Sequence, residues 1–243
     1  MSVRSRELAW DGCITVRDLG GIPLEGGGET RTGVLVRSDN VRLLTEEGRR
    51  ALVEHGVVRV VDLRWPEELA LDPRDDLPVD VVHVSLLGEL DPDYHDDVDT
   101  YMAAGDPAGY WTASYSSMFE QYPQQFRAAL AAIADADGPV VFHCAGGKDR
   151  TGLIAALLLR LAGVSIDDVA LDYALTRVDP AWCERAADER DRARRTFMQN
   201  TPAEAMRGAL EHLDRAYGGA EGYMRTCGLD DVRIARLRDR LRA

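Results

Sequence analysis

The stretch from Gly138 to Gly163 constrains the fold more than any other. GPVVFHC, Gly138 to Cys144, is a short apolar strand. A tight Gly-rich turn follows, and then TGLIAALLLRLAG, a helical segment that is apolar nearly all round. A helix without a polar face belongs in the interior, and a strand feeding it directly is buried with it. VVRVVDL, Val57 to Leu63, is a second β-branched run of the kind found in buried parallel strands. Val34–Ser38 and Val79–Leu86 read as two more strands. Between them TEEGRRALVEHG is a short helix, with Thr45 as N-cap and Gly56 past its C-terminus. Strands alternating with helices predict an α/β fold with a central, mostly parallel sheet flanked by helices.

The remainder reads as helical. Gly109 to Ala134 carries helical spacing, with Pro123 set to interrupt it. From about residue 165 to 243 the chain is a helical portion. Ser165–Asp168 is a capping-box pattern, Thr201–Glu204 predicts Thr201 as cap with Pro202 at the first position, and Asp230 caps the last helix. Glu89 to Thr100 is acidic and turn-rich, a surface loop. A length of 243 residues without repeats fits a single domain over residues 1–243.

Charge narrows the partners. The formal net charge is -13, a field that repels nucleic acid and anionic membrane surfaces. An anionic substrate then needs a local cluster of donors strong enough to oppose that field. No apolar stretch approaches a membrane span, so no stable membrane insertion is expected. The N-terminus lacks the apolar core of a secretory signal. Cys13, Cys144, Cys183 and Cys227 are scattered, with no spacing suited to a metal. The default is a cytoplasmic protein with reduced thiols, no metal and no cofactor; export by a route without a signal stays open. The sequence sets no oligomeric state.

One loop answers the need for local donors. In Cys144-Ala145-Gly146-Gly147-Lys148-Asp149-Arg150-Thr151, the cysteine ends a buried strand and the arginine lies in the first turn of a helix. Five residues must curl between them, and Gly146 and Gly147 permit unusual dihedrals. Successive backbone N–H groups of Ala145, Gly146, Gly147 and Lys148 then converge on one concavity backed by the helix N-terminus, an anion nest. Arg150 adds a guanidinium fork that matches two phosphate oxygens. A thiol on the floor of such a nest is expected to ionise, because helix N-termini and nearby cations favour the thiolate. The implied chemistry is phosphoryl transfer to Cys144, then hydrolysis of the thiophosphate by water. The nest and Arg150 hold the transition-state charge, and no metal is required. Cys227 to Arg233 has the same Cys–Arg spacing, but it lacks the strand and paired glycines and holds Asp230 and Asp231 where an anion would sit.

His143-Cys144-x-x-Gly147-Lys148-Asp149-Arg150-Thr151 resembles the signature of the atypical bacterial tyrosine phosphatases. Arg17-Asp18-Leu19-Gly20-Gly21, Arg37-Ser38 followed by Leu44-Thr45, and Asp62-Leu63-Arg64 with Glu67 or Glu68 are similar to further segments of that family. The C-terminal YGG…Y and GLDD…LR pieces fit as well, so the resemblance covers nearly the whole chain. Thr15-Val16 departs from the Asn-Phe usual before RDLGG. The resemblance implies the cysteine-phosphatase fold. It also implies activity on phosphotyrosine, with phosphoserine/threonine and phosphoinositides as further substrates of some relatives.

A phosphate ester's leaving group needs a proton. The resemblance puts an acid at Asp149, beside the phosphate; the alternative is an Asp that orients Arg150 or caps the helix. Asp62, at the end of a strand, is the second candidate. Asp93, Asp96, Asp97 and Asp99 are third, against the plainer reading of a solvated loop. Trp65-Pro66-Glu67 is discounted as a chance match to the acid loop of classical tyrosine phosphatases. His143 either supports the thiolate or makes a satisfied buried contact. Thr151 donates to the leaving thiolate or caps the helix. Lys148, the only lysine beside 28 arginines, reaches a second phosphate or a carboxylate of the substrate, or is a solvated tip. Arg17, Asp18, Arg37 and Arg64 read as structural ion-pair partners. Helices between about 181 and 213 are either a lid, with Phe197, Met198 and Met206 facing the pocket, or ordinary core. Competing functions are a phosphoinositide phosphatase of the same mechanism, a rhodanese-like sulfurtransferase and an inactive phosphate-binding module. The intact Cys144, Asp149 and Arg150 and the spacing to Arg150 argue against the last two.

Overall fold

A computed structural model describes residues 6–71, 77–89 and 97–242. Among the described residues five strands form one sheet: β1 (Arg17–Asp18), β2 (Leu35–Ser38), β3 (Arg59–Asp62), β4 (Asp80–His83) and β5 (Val140–His143). Their order is β1-β2-β5-β3-β4, parallel throughout except for β1, which runs antiparallel to β2 at the edge. The parallel strands stop in one row. Ser38 of β2 and Asp62 of β3 both pair with His143 of β5, and Asp62 also pairs with His83 of β4. The site is therefore built at the carboxyl edge of the central strand β5, the usual place for a ligand in an open parallel sheet.

Helices cover both faces. Among the described residues they are α1 (Glu46–Glu54), α2 (Pro66–Leu71), α3 (Val98–Ala104), α4 (Pro107–Gln121), α5 (Pro123–Ala134), α6 (Asp149–Ala162), α7 (Ile166–Ala174), α8 (Pro180–Glu184), α9 (Glu189–Met198), α10 (Ala203–Tyr217), α11 (Ala220–Thr226) and α12 (Asp231–Leu241). Strand periodicity divides the core. Leu35, Val61, Val140 and Phe142 point to the larger cluster, which includes α4–α6, α10 and α12. Val36, Val60 and Val141 point to a smaller one with Trp10 and Leu52 of α1. The apolar helix α6 is buried from Arg150 to Leu159. Among the described residues no helix is long and apolar enough to cross a membrane.

Local signals hold in most places. Thr45 Oγ1 accepts from Gly48 N, Ser165 Oγ from Asp168 N, and Asp230 Oδ1 from Arg233 N. Pro123 separates α4 from α5. The strands are shorter than their apolar runs, because pairing ends where the chain turns away at the sheet edges. Two expectations need correction. Pro202 occupies the N-cap position of α10 and Ala203 begins it, so Thr201 lies one residue too early; its hydroxyl instead contacts Ala174 O. In the acidic segment, residues 98–100 are the first turn of α3, fixed by burial of Val98. Residues 90–96, with Asp93 and Asp96, lie outside the described residues.

Candidate active site

Cys144 follows the last residue of β5 and is buried. The loop after it is shaped by what happens to its carbonyls. Ala145 O accepts from Asn40 N at 3.1 Å, and Gly147 O accepts from the Arg37 guanidinium at 2.8 Å. In a trans peptide the N–H points opposite to the C=O. Tying those two carbonyls outward therefore turns the N–H groups of Gly146 and Lys148 to the other side. α6 begins at Asp149 with no side chain capping its N-terminus, which leaves its first N–H groups for an anion.

The two glycines differ. Gly147 has φ of +64°, and a Cβ there would lie 2.7 Å from Asp39 N and 2.8 Å from Ser38 O. Gly146 has no positive φ and nothing within 4 Å of a would-be Cβ. The turn therefore requires only one of the pair to be glycine.

Arg150 is held from two sides. The two oxygens of Glu68 accept from its two terminal nitrogens, with Oε1 at 2.9 Å from Nη2. The Trp65 ring lies 4.2 Å from the guanidinium carbon, and Trp65 N donates to Glu68 Oε2 at 2.8 Å. Burial pushes the Glu68 carboxyl up, but Arg150 outweighs it and holds the group below its ordinary range. Trp65, dismissed with its Pro-Glu neighbours as a chance match, stands in the site through a packing role. Glu68 was visible only through the family segment. The signal for both was their place just past the end of β3, next to β5.

Asp149 and Lys148 are engaged by α4. Tyr115 Oη donates to Asp149 Oδ1 at 2.5 Å, and Tyr115 and Tyr173 share a hydrogen bond of 2.7 Å. Lys148 is 3% exposed, which overturns the solvated-tip alternative. Its Nζ lies 2.6 Å from Met198 O, 3.2 Å from Asp149 Oδ1 and 3.6 Å from the centroid of the Trp111 ring. Burial pulls the ammonium below the ordinary lysine range, with the Asp149 charge opposing it.

Asp62 and His143 lie beneath the strand edge. Asp62 pairs in fork fashion with Arg64, at 3.0 Å from Nε to Oδ1 and 2.9 Å from Nη2 to Oδ2. Burial raises the carboxyl, but Arg64 and His143 outweigh it and keep it below its usual range. His143 is lowered by burial, against the opposing charge of Asp62, and its Nδ1 is 3.1 Å from Cys144 O. Both line a small cavity with Val41 and Val60, separate from the phosphate-loop cavity. Asp97 and Asp99 sit at the start of α3, where Asp99 pairs with Arg190. Asp172 of α7 gathers Arg6 at 2.8 Å, Arg37 at 2.9 Å and Arg17 at 3.6 Å. Arg17, Arg37 and Arg64 are thus ion-pair partners. Asp18 instead takes the backbone N–H groups of Gly20 and Gly33.

A cavity of about 570 Å³ opens over the loop, lined by Ala145, Gly146, Lys148, Asp149 and Arg150. Trp65 and Glu68 form one wall, Ile14 and Leu43 another, and Trp182, Arg185 and Met198 a third. Met198 therefore faces the cavity, whereas Phe197 packs on Tyr110 and Met206 is wholly buried in the core. The tryptophans, Leu43 and Met198 give the cavity an aromatic and apolar part above a floor that carries the loop donors, an arrangement that suits an aryl phosphate. Cys227 begins no such loop. It is buried at the end of α11, and Asp230 caps α12.

The sequence profile of the tyrosine phosphatase family matches residues 8–243. A tyrosine-protein phosphatase of Nostoc commune is 32% identical over 222 residues, covering 85% of this chain and 73% of the relative. The triple specificity protein phosphatase PtpB of Mycobacterium tuberculosis is 26% identical over 249 residues, covering 86% of this chain and 90% of the relative.

Proposed function

The chain belongs to the tyrosine phosphatase family, and from that premise we propose that it hydrolyses phosphotyrosine through a phosphocysteine intermediate on Cys144. The observation that carries this reading is the loop itself. Its carbonyls at Ala145 and Gly147 are tied outward, so its N–H groups are left for a phosphate above the buried thiol at the end of β5. In the first step the Cys144 thiolate attacks phosphorus as the aryl oxygen leaves, and Asp149 gives that oxygen a proton. The spreading charge on the equatorial oxygens is met by the loop N–H groups and by Arg150, held in place by Glu68. In the second step water attacks phosphorus, Asp149 takes the water's proton and the thiolate leaves. Thr151 supports that departure. Its hydroxyl is fully buried and has no hydrogen-bond partner among the described residues, so it is available to the sulfur.

Asp149 is favoured over Asp62 because Asp149 lines the cavity with the loop, while Asp62 is locked to Arg64 and kept ionised. His143 serves as a neutral buried brace for the Cys144 carbonyl. Phosphoserine/threonine esters fit the same chemistry, as do phosphoinositides. The aromatic walls favour phosphotyrosine, and Lys148 is already committed to Met198 O and Asp149 rather than set out for a second phosphate. The reading includes one catalytic domain over the whole chain, with no metal or other cofactor, and residence in the cytoplasm, where a thiol nucleophile stays reduced.

The test is hydrolysis of p-nitrophenyl phosphate and a phosphotyrosine peptide, sensitive to vanadate and insensitive to EDTA. Cys144→Ser is expected to abolish turnover while still binding vanadate-like anions. Wild-type turnover by that variant would sink the mechanism. A side-by-side panel of phosphotyrosine, phosphoserine/threonine and phosphoinositide substrates ranks the substrate classes. Activity on thiosulfate in place of aryl phosphates would show a sulfurtransferase.

A further inference from the structure

α4 presents Trp111 and Tyr115, one helical turn apart and stacked with centroids 5.2 Å apart, to two consecutive residues of the phosphate loop. Trp111 takes the Lys148 ammonium on its ring, and Tyr115 takes Asp149. The tyrosine hydroxyl and the lysine ammonium meet the same atom of the aspartate. Tyr115 Oη lies 2.5 Å and Lys148 Nζ 3.2 Å from Oδ1. Among the described residues, Oδ2 has no hydrogen-bond partner.

While Asp149 is ionised it can only accept, so the single proton of Tyr115 goes to Oδ1. The 2.7 Å contact with Tyr173 must then be a donation from Tyr173 to Tyr115. Both phenols are buried, and burial first, with the nearby Asp149 charge second, pushes them well above the ordinary tyrosine range, so both remain donors. The result is a fixed relay, Tyr173 to Tyr115 to Asp149 Oδ1, in which each bond polarises the next.

An oxygen that already accepts a hydrogen bond and lies against an ammonium is a poor seat for a proton. We propose that Tyr115, backed by Tyr173, is a positioning residue for the proton transfer. It occupies Asp149 Oδ1, so that the transferable proton resides on Oδ2 and the carboxyl group is held at a fixed angle over the loop. The inference rests on the reading of Asp149 as general acid. The proton passes from Oδ2 to the aryl oxygen as the P–O bond breaks, and Oδ1 keeps its donors for the charge left behind. In the second step Oδ2 receives a proton from the attacking water, which restores the starting state. Neither tyrosine touches substrate, and neither gains or loses a proton over the cycle.

The test is kcat/KM across aryl phosphates, from dinitrophenyl to unsubstituted phenyl phosphate. Good leaving groups need no proton and poor ones do, so a defect in proton delivery appears as a loss that grows with leaving-group basicity. General acids contribute about 10²–10⁴-fold, and Tyr115→Phe, which keeps the ring, is expected to lose roughly ten times more on phenyl phosphate than on the dinitrophenyl ester. Tyr173→Phe is expected to show the same bias at smaller size. Asp149→Asn, run in parallel, is expected to show the steepest bias. If Asp149→Asn is biased and Tyr115→Phe loses equally on every ester, the relay is wrong and the general acid stands. If Asp149→Asn itself shows no bias, the general-acid reading fails and the relay falls with it. Thermal melts of the two Phe variants separate these outcomes from unfolding, since a purely structural tyrosine alters stability without tilting the leaving-group dependence.

Discussion

Glu68 and Arg150 meet end to end, carboxylate against guanidinium, across the gap between α2 and the first turn of α6. The pair aims the guanidinium and also competes with phosphate for it. Aim is the larger effect, since both donors remain fixed while a flexible arginine would lose several rotamers on binding. Glu68→Gln is expected to lower kcat/KM for aryl phosphates by roughly 10–100-fold, the equivalent of one charged hydrogen bond of about 1.5–3 kcal/mol. Vanadate affinity reports the ground state separately. If Glu68 were chiefly a competitor, Gln would tighten vanadate binding and leave kcat/KM intact.

The phosphate loop makes unequal demands on its two glycines. A Cβ on Gly147 collides with the backbone of Asp39 and Ser38 in a positive-φ conformation, and no side-chain rotation can relieve a clash with backbone atoms. Gly147→Ala is expected to cost about 1–3 kcal/mol of stability and most of the activity. A Cβ on Gly146 meets open space, so Gly146→Ala is expected to stay within about 0.5 kcal/mol of the parent. Parallel denaturant titrations decide the matter, and equal losses would contradict a glycine requirement confined to position 147.

Among the described residues, Asp172 is the one carboxylate paired with the buried Arg6, Arg17 and Arg37. Burial pushes it up, but the three guanidiniums outweigh that and hold it far below the carboxylate range. A depressed folded-state pKa contributes stability that is fully present above the unfolded value, about 3.9, and is lost only as pH falls through the folded value. Asp172→Asn is therefore expected to lose about 3–5 kcal/mol near neutrality, because uncompensated guanidiniums remain buried. The gap between variant and parent should narrow as the solution is made more acidic than about pH 4. Arg37 also holds the Gly147 carbonyl, so residual activity is expected to fall as well. A pH-independent difference in stability would contradict the linkage.

Sheet and loop were legible in the sequence because they rest on local patterns. Apolar runs gave the strands, and Phe142 to Gly152 gave strand end, turn and helix start in eleven residues. What escaped was everything brought in from a distance. Tyr115 and Trp111 reach the loop from α4, more than thirty residues upstream, and their spacing in WTASY looks like ordinary helix core. Asp172 looks like one acid among many until three arginines converge on it. Lys148 was read as reaching outward because loop tips usually do, whereas here α4 and α9 close over it. Thr201 and Pro202 differ by one place because a proline that fits either end of the first turn leaves the boundary to tertiary packing.

Lys148 offers the last discriminating prediction. Its ammonium joins the phosphate loop to the C-terminal end of α9 through Met198 O, and it lies against the Trp111 ring. Lys148→Met retains most of the stem and removes the charge. The lost carbonyl bond, about 1.5–3 kcal/mol, is partly offset by relief of a buried cation's desolvation. Global stability is therefore expected to change little, while the end of α9 loses its anchor. Hydrogen exchange should report this as faster exchange at residues 196–200 with the sheet unaffected. Turnover of phosphotyrosine peptides and phosphoinositides is expected to fall by the same factor, because the ammonium acts through the loop and Asp149 in both cases. A loss confined to phosphoinositides would show that Lys148 leaves its cage to meet a second phosphate, and would move the substrate assignment toward lipids.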